Sequence, residues 1–211
     1  MKDEATFERD LAVLVPDPMF AGVVRALLGR PQSLSIRPIL ADIYLHPHHD
    51  PGCLRGSDRF LRPFCMTRAH ALVLFDRSGC GQQNWPVTDL ESKVRGALSR
   101  SGWDDRAEAI VVDPELEVWA WSDSPQVDQC LGWTGRQPAL RGWLVREGLW
   151  NEGEAKPEDP KRALQRALDA VQGGALPAVL MQLAKSVGLA RCTDRAFGRF
   201  RDILRRWFPA S

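Results

Sequence analysis

Apolar and polar positions along the chain follow two rhythms. Unbroken apolar runs occur at 11–15 (LAVLV) and 71–75 (ALVLF), and 108–112 (EAIVV) reads as a further strand. A run without alternation suits a strand covered on both faces, as in a parallel sheet between helical layers. The second rhythm is helical. Phe20, Val23, Val24, Leu27 and Leu28 make one stripe, with Asp17 at the N-cap, Pro18 in the first turn and Gly29 as the stop. Leu90, Val94, Ala97 and Leu98 make another, opened by a capping box at Thr88-Asp89-Leu90-Glu91 and ended by Gly102. Between these elements, 34–40 has strand character with Pro38 marking an edge or an end. Residues 42–53 (DIYLHPHHDPGC) read as a loop, and 54–66 as a short helix broken or begun near Pro63.

Beyond residue 122 the helical rhythm dominates. Short helices are expected around 125–131 and 138–146, and longer ones over 161–171, 177–187 and 193–208. The acidic, Pro- and Gly-bearing stretch 151–160 (NEGEAKPEDP) is the best internal boundary. The predicted fold class is therefore α/β. A mostly parallel, Rossmann-like sheet flanked by helices fills residues 1–150. A helical part, 151–211, packs on it to make one compact unit.

Composition narrows the function classes. Twenty-eight Lys and Arg against 27 Asp and Glu leave a net charge of +1, so no global field pulls the chain toward nucleic acid or membrane. No stretch approaches the ~20 apolar residues of a membrane span. The charged start, MKDEATFERD, lacks a signal-peptide core, which places the protein in the cytoplasm as an expectation. Five scattered Cys without a CxxC motif suit reduced thiols. Eight Trp against one Tyr is unusual. Trp121, Trp133, Trp143 and Trp150 are either core rings or an interaction surface.

The chemistry-bearing residues sit where the strands end. Asp17 follows the first run, Asp76 follows the central run, and Asp113, Glu115 and Glu117 follow the third. Asp17 and Asp113 also serve as helix caps, and Glu115 as a helix-dipole partner. Parallel strands would bring these acids to one rim, where ligands bind in open α/β sheets. Clustered carboxylates repel one another until a proton or a cation intervenes. Hard oxygen ligands suit Mg²⁺, and such sites support phosphoryl transfer or phosphodiester hydrolysis. Asp76, Glu115 and Glu117 are the candidate catalytic residues and metal ligands, with Asp17 a further ligand. Arg77, His46, His48 and His49 are candidate phosphate contacts. His46 to Cys53 also holds the zinc ligand types, at a spacing that matches no structural zinc motif. The last helix carries Arg195, Arg199, Arg201, Arg205 and Arg206 opposite an apolar stripe. That face is either an ordinary solvated one or a contact for nucleic acid.

These motifs resemble the Toprim-like fold of topoisomerases, primases and overcoming-lysogenization-defect nucleases, and most of all a family of small bacterial Toprim-like proteins. Asp76, Arg77 and Gly79 are similar to that family's central aspartate motif. Pro114, Glu115, Glu117 and Trp119 resemble its proline-glutamate-x-glutamate-alanine-tryptophan motif, with Val118 in place of alanine and Ser122 and Asp123 continuing it. Lys156, Pro157, Arg191, Cys192 and Phe197 resemble its C-terminal motifs. The chain also looks like a component of methylation-associated bacterial anti-phage loci. The resemblance implies a Mg²⁺-dependent nuclease or phosphotransfer site, with other defence-system proteins and DNA or RNA as partners. The departures are Val15-Pro16-Asp17 where the family has a glutamate, and Ser78 where it has a second aspartate. They imply a weakened site, or an inactive subunit that keeps the fold for assembly or sensing.

Overall fold

The computed structural model describes residues 7–188 and 192–210. Four parallel strands form one sheet in the order β2-β1-β3-β4. They are β1 (Arg9–Val15), β2 (Ala41–Leu45), β3 (Arg68–Asp76) and β4 (Ala107–Val112). Between them come α1 (Pro18–Leu28), the short α2 (Pro31–Leu34), α3 (His49–Leu61) and α4 (Val87–Leu98). After β4 the chain is helical: α5 (Pro125–Cys130), α6 (Leu140–Arg146), α7 (Pro160–Ala170), α8 (Leu176–Ser186) and α9 (Arg195–Trp207).

The apolar runs lack alternation because both faces of the sheet are covered. Leu11, Val13, Val15, Leu72, Leu74, Ile110 and Val112 face a layer that contains α1, α7, α8 and α9. Ala12, Leu14, Ala71, Val73, Phe75, Ala109 and Val111 face α3 and α4. The first layer draws on residues on both sides of 151, so the helical tail and the sheet share one core.

Local sequence chemistry explains most ends and some departures. Asp17 caps α1, its Oδ1 accepting from Phe20 N at 2.9 Å. The capping box expected at Thr88 does not form. Pro86 precedes the helix without a side-chain cap, Thr88 turns to Asp89, and Glu91 points inward. The strand expected over 34–40 lies later, at Ala41–Leu45, while Leu34 ends α2 and Ile36 bridges Pro209. Most of the loop read at 42–53 is ordered. Its start is β2, and its end is the first turn of α3, where Pro51 is tolerated because its missing N–H lies among the unpaired donors of a helix start.

Most of the tryptophans are core rings, with Trp85 exposed. Trp103, Trp119, Trp121, Trp133 and Trp150 are buried, and Trp143 packs against Trp133 at 4.8 Å between ring centroids. The surface role open to Trp121, Trp133 and Trp150 is thereby removed. The five cysteines carry no disulfide. Among the described residues, no helix is long and apolar enough to cross a membrane.

Candidate functional site

The chain leaves β1 toward β2 through α1, and leaves β3 toward β4 through α4. The crevice between the carboxyl ends of β1 and β3 is therefore a topological switch point, the place where open α/β sheets take ligands. Asp17 follows β1 and Asp76 closes β3 at this crevice.

Asp76 is the centre of an acidic cluster. Its backbone N–H donates to Asp50 Oδ1 at 2.8 Å, which fixes the Asp50 carboxylate from the first turn of α3 against the end of β3. Gly79 permits this approach, since a Cβ there would lie 2.3 Å from Asp50 Oδ2. Among the described residues, the buried Asp76 Oδ1 accepts no hydrogen bond. Glu117 is fully buried, and among the same residues neither of its carboxylate oxygens accepts a hydrogen bond. Lys161 Nζ stands 3.5 Å from Glu117 Oε1, an ion pair long for a hydrogen bond. The backbone N–H of the same lysine, in the first turn of α7, donates to Glu115 Oε1 at 3.2 Å.

The protonation equilibria reflect this crowding. Burial, then the charges of Asp50, Glu117, Glu115 and Asp17, push the Asp76 carboxyl well above the usual carboxylate range. Burial also raises Asp50, with the Asp17 charge adding to it and the Asp76 N–H working against it. Burial and the Glu117 charge raise Glu115. Burial disfavours the Lys161 ammonium, but Glu117, Glu115 and Asp76 outweigh it and raise that group. The rim thus places Asp17, Asp50, Glu115 and Glu117 within reach of the Asp76 charge.

This donor set fits a hard divalent cation. Burial of the Asp76 and Glu117 oxygens calls for compensating positive charge, which the partly exposed Lys161 ammonium supplies to Glu117 only at 3.5 Å. Among the described residues, no three His, Cys, Asp or Glu side chains already stand in a metal-ligating arrangement.

Other expected residues lie elsewhere. The helix expected to begin at Asp113-Pro114 does not. Glu115 is extended, with φ −158° and ψ 165°, and a 3-10 turn runs from Leu116 to Ala120. Asp113 instead pairs with Arg77 Nη1 at 2.8 Å, and Arg77 Nη2 donates to Trp85 O at 3.3 Å, so Arg77 is already engaged. His46 is buried against Phe60 and spans Gly52, whose Cβ would sit 2.0 Å from its ring, so it is not placed to contact a phosphate. Burial, then the neighbouring His48 and His49, lower its pKa. Cys53 is buried and its thiol is pushed up by burial, the opposite of a thiolate ligand. His48 is exposed. His49 lies at the crevice, its Nδ1 3.0 Å from Pro16 O and its ring close enough to act on Asp50. Arg191 lies outside the described residues.

The basic face of α9 is largely spent inside the molecule. Arg195 forms a two-pronged pair with Glu91 at 2.9 and 3.1 Å, and Arg199 reaches Glu91 and Glu108 at 3.6 and 3.5 Å. Arg206 pairs with Glu108 at 2.7 Å, and Arg205 donates to Leu34 O at 2.8 Å. The guanidinium of Arg201 lies over Phe197.

Two members of the cluster escaped the sequence reading. Asp50 was visible only as one acid within HHDPGC, and Lys161 only as the residue after the PEDP boundary. Comparison with protein-family models, curated proteins and solved structures finds no match to this chain.

Proposed function

We propose that the crevice between β1 and β3 is a divalent-cation site for phosphoryl transfer or phosphodiester hydrolysis, in a Toprim-like cytoplasmic protein that serves bacterial anti-phage defence beside other defence proteins. One observation carries the chemical part. Among the described residues, Asp76 Oδ1 is buried without a hydrogen-bond partner at a switch point, and the charges of four other acids act on it. Asp76 and Glu117 would hold Mg²⁺, with Glu115, Asp17 and Asp50 as further oxygen donors. A cation there neutralises phosphate charge and lowers the pKa of a bound water. Asp50 supplies an acid from α3 on a rim where the family's second aspartate is replaced by Ser78. Lys161, beside Glu115 and Glu117, is placed to meet the charge of a phosphate. The defence role rests on the sequence resemblance alone.

A second reading keeps the fold without the reaction, as an assembly or sensing subunit. The Lys161 ammonium already sits against Glu117, and Arg77 is taken up by Asp113. On this reading the lysine replaces the ion.

One experiment separates the two. Thermal melts are followed during Mg²⁺ and Mn²⁺ titration, alongside cleavage of single- and double-stranded DNA and RNA. The first reading expects a metal-dependent rise in Tm, about 2.7 kcal/mol of stabilisation at a hundred times Kd. It also expects cleavage that Asp76→Ala and Glu117→Ala abolish. Absence of both effects in the unaltered chain leaves only the second reading.

A further inference from the structure

We propose that the cavity beside Trp121 and Trp150 is a binding site for an amino-acid-type zwitterion, its ammonium seated at Asp128 and its carboxylate at Arg141. The cavity has a volume of about 600 Å³ and opens to solvent between α5 and α6. It is separate from the acidic crevice, and the proposal stands without the cation reading.

Two indole rings form the fixed apolar part of a wall that also carries polar side chains. The Trp121 and Trp150 rings meet edge-to-face, with centroids 5.3 Å apart. Each indole N–H is already satisfied, Trp121 Nε1 by Pro160 O at 3.0 Å and Trp150 Nε1 by Glu154 O at 2.9 Å. Neither ring is left with a donor to offer, so both present carbon to the cavity.

The polar groups are incomplete in a particular way. Among the described residues, the Asp128 carboxylate makes no hydrogen bond and no ion pair, and burial raises its pKa. Ser122 Oγ is buried at the cavity and also lacks a partner. Arg141 lies across the Trp150 face at 4.8 Å and donates one N–H to Glu154 O, which leaves most of its five donors for an incoming anion. Asp128 and Arg141 line the same cavity from two different helices, yet they do not pair with each other. Asp123, the second carboxylate of the lining, is engaged within the molecule, so Asp128 and Arg141 remain as a partly desolvated carboxylate and an anchored guanidinium on one cavity, complementary to a ligand that carries both charges. A simple amine would leave Arg141 unmet, and a simple acid would leave Asp128 unmet.

The test is titration calorimetry on the full chain, in EDTA to keep metals out. The probes are glycine, alanine, leucine, phenylalanine and lysine, with propylamine and propionate as single-charge controls. At least one amino acid is expected to bind, with both controls weaker by about tenfold or more. Asp128→Asn and Arg141→Gln are each expected to weaken that binding by about tenfold, because each strands one charge of the ligand. Thermal melts of both variants confirm that they fold. No heat from any amino acid overturns the proposal. So does equal binding of the controls, or binding that survives both substitutions in folded protein.

Discussion

At the scale of the residue, Asp76 is the carboxyl on which burial and the charges of four other acids converge. Its carboxyl holds a proton more tightly in the folded chain than in the unfolded one, because burial and four like charges oppose ionisation. A carboxyl raised in this way contributes stability that is fully present below its unfolded pKa and is lost as pH rises through the folded value. Asp50 and Glu115 are raised in the same direction and add to the trend. Asp76→Asn, which removes the charge and keeps the shape, is therefore expected to raise Tm at pH 7–8 without metal. A gain of about 1.4 kcal/mol would raise Tm by roughly 3–5 °C for a chain of this size. The gain shrinks toward pH 4, where the native carboxyl is protonated anyway. Melting curves of both proteins across pH check this, and a lower Tm for the variant at every pH counts against it. Asp76 was legible in the sequence because an unbroken apolar run stops at it. Asp50 was not, because its part depends on Gly79 yielding the space of one Cβ, and that close approach has no signature along the chain.

At the scale of the element, the strands declared themselves and several connections did not. Parallel strands buried on both faces write unbroken apolar runs, and β1, β3 and β4 are such strands. Edge strand β2 is half-exposed and was misplaced by several residues. The segment after β4 repeats the Asp-Pro pattern that opens α1, yet Asp113 turns to Arg77 and a 3-10 turn carries Glu117 into the interior. Tertiary pairing overrode a good local cap. The same holds for Glu91, which looked like the last member of a capping box. It accepts from Val111 N on edge strand β4 at 3.3 Å and holds Arg195 and Arg199 of α9. Glu91→Ala is expected to cost about 2 kcal/mol in urea unfolding, less than a fully buried pair because the arginines are partly solvated. A loss under about 0.5 kcal/mol would mean that these contacts add little beyond ordinary surface pairs.

At the scale of the whole molecule, the sheet divides the apolar interior into two layers of unequal aromatic content. Trp119, Trp121, Trp133 and Trp150 are buried in the layer that joins α1 to α7, α8 and α9, whereas Trp103 is the buried tryptophan of the layer under α3 and α4. The outline of this plan was legible in the alternation of apolar runs and helical stripes. The depth at which the indoles sit was not, since a ring on a short helix serves a surface or a core equally well. The uneven distribution gives the protein two built-in optical reporters. Trp103→Phe leaves intrinsic emission reporting chiefly on the aromatic-rich layer, and a variant in which every tryptophan except Trp103 becomes Phe reports on the other. If sheet and tail melt as one cooperative body, the two emission curves coincide in urea. Separate midpoints would reveal a molecule that comes apart along its sheet, one layer holding its indoles dark to solvent after the other has let go.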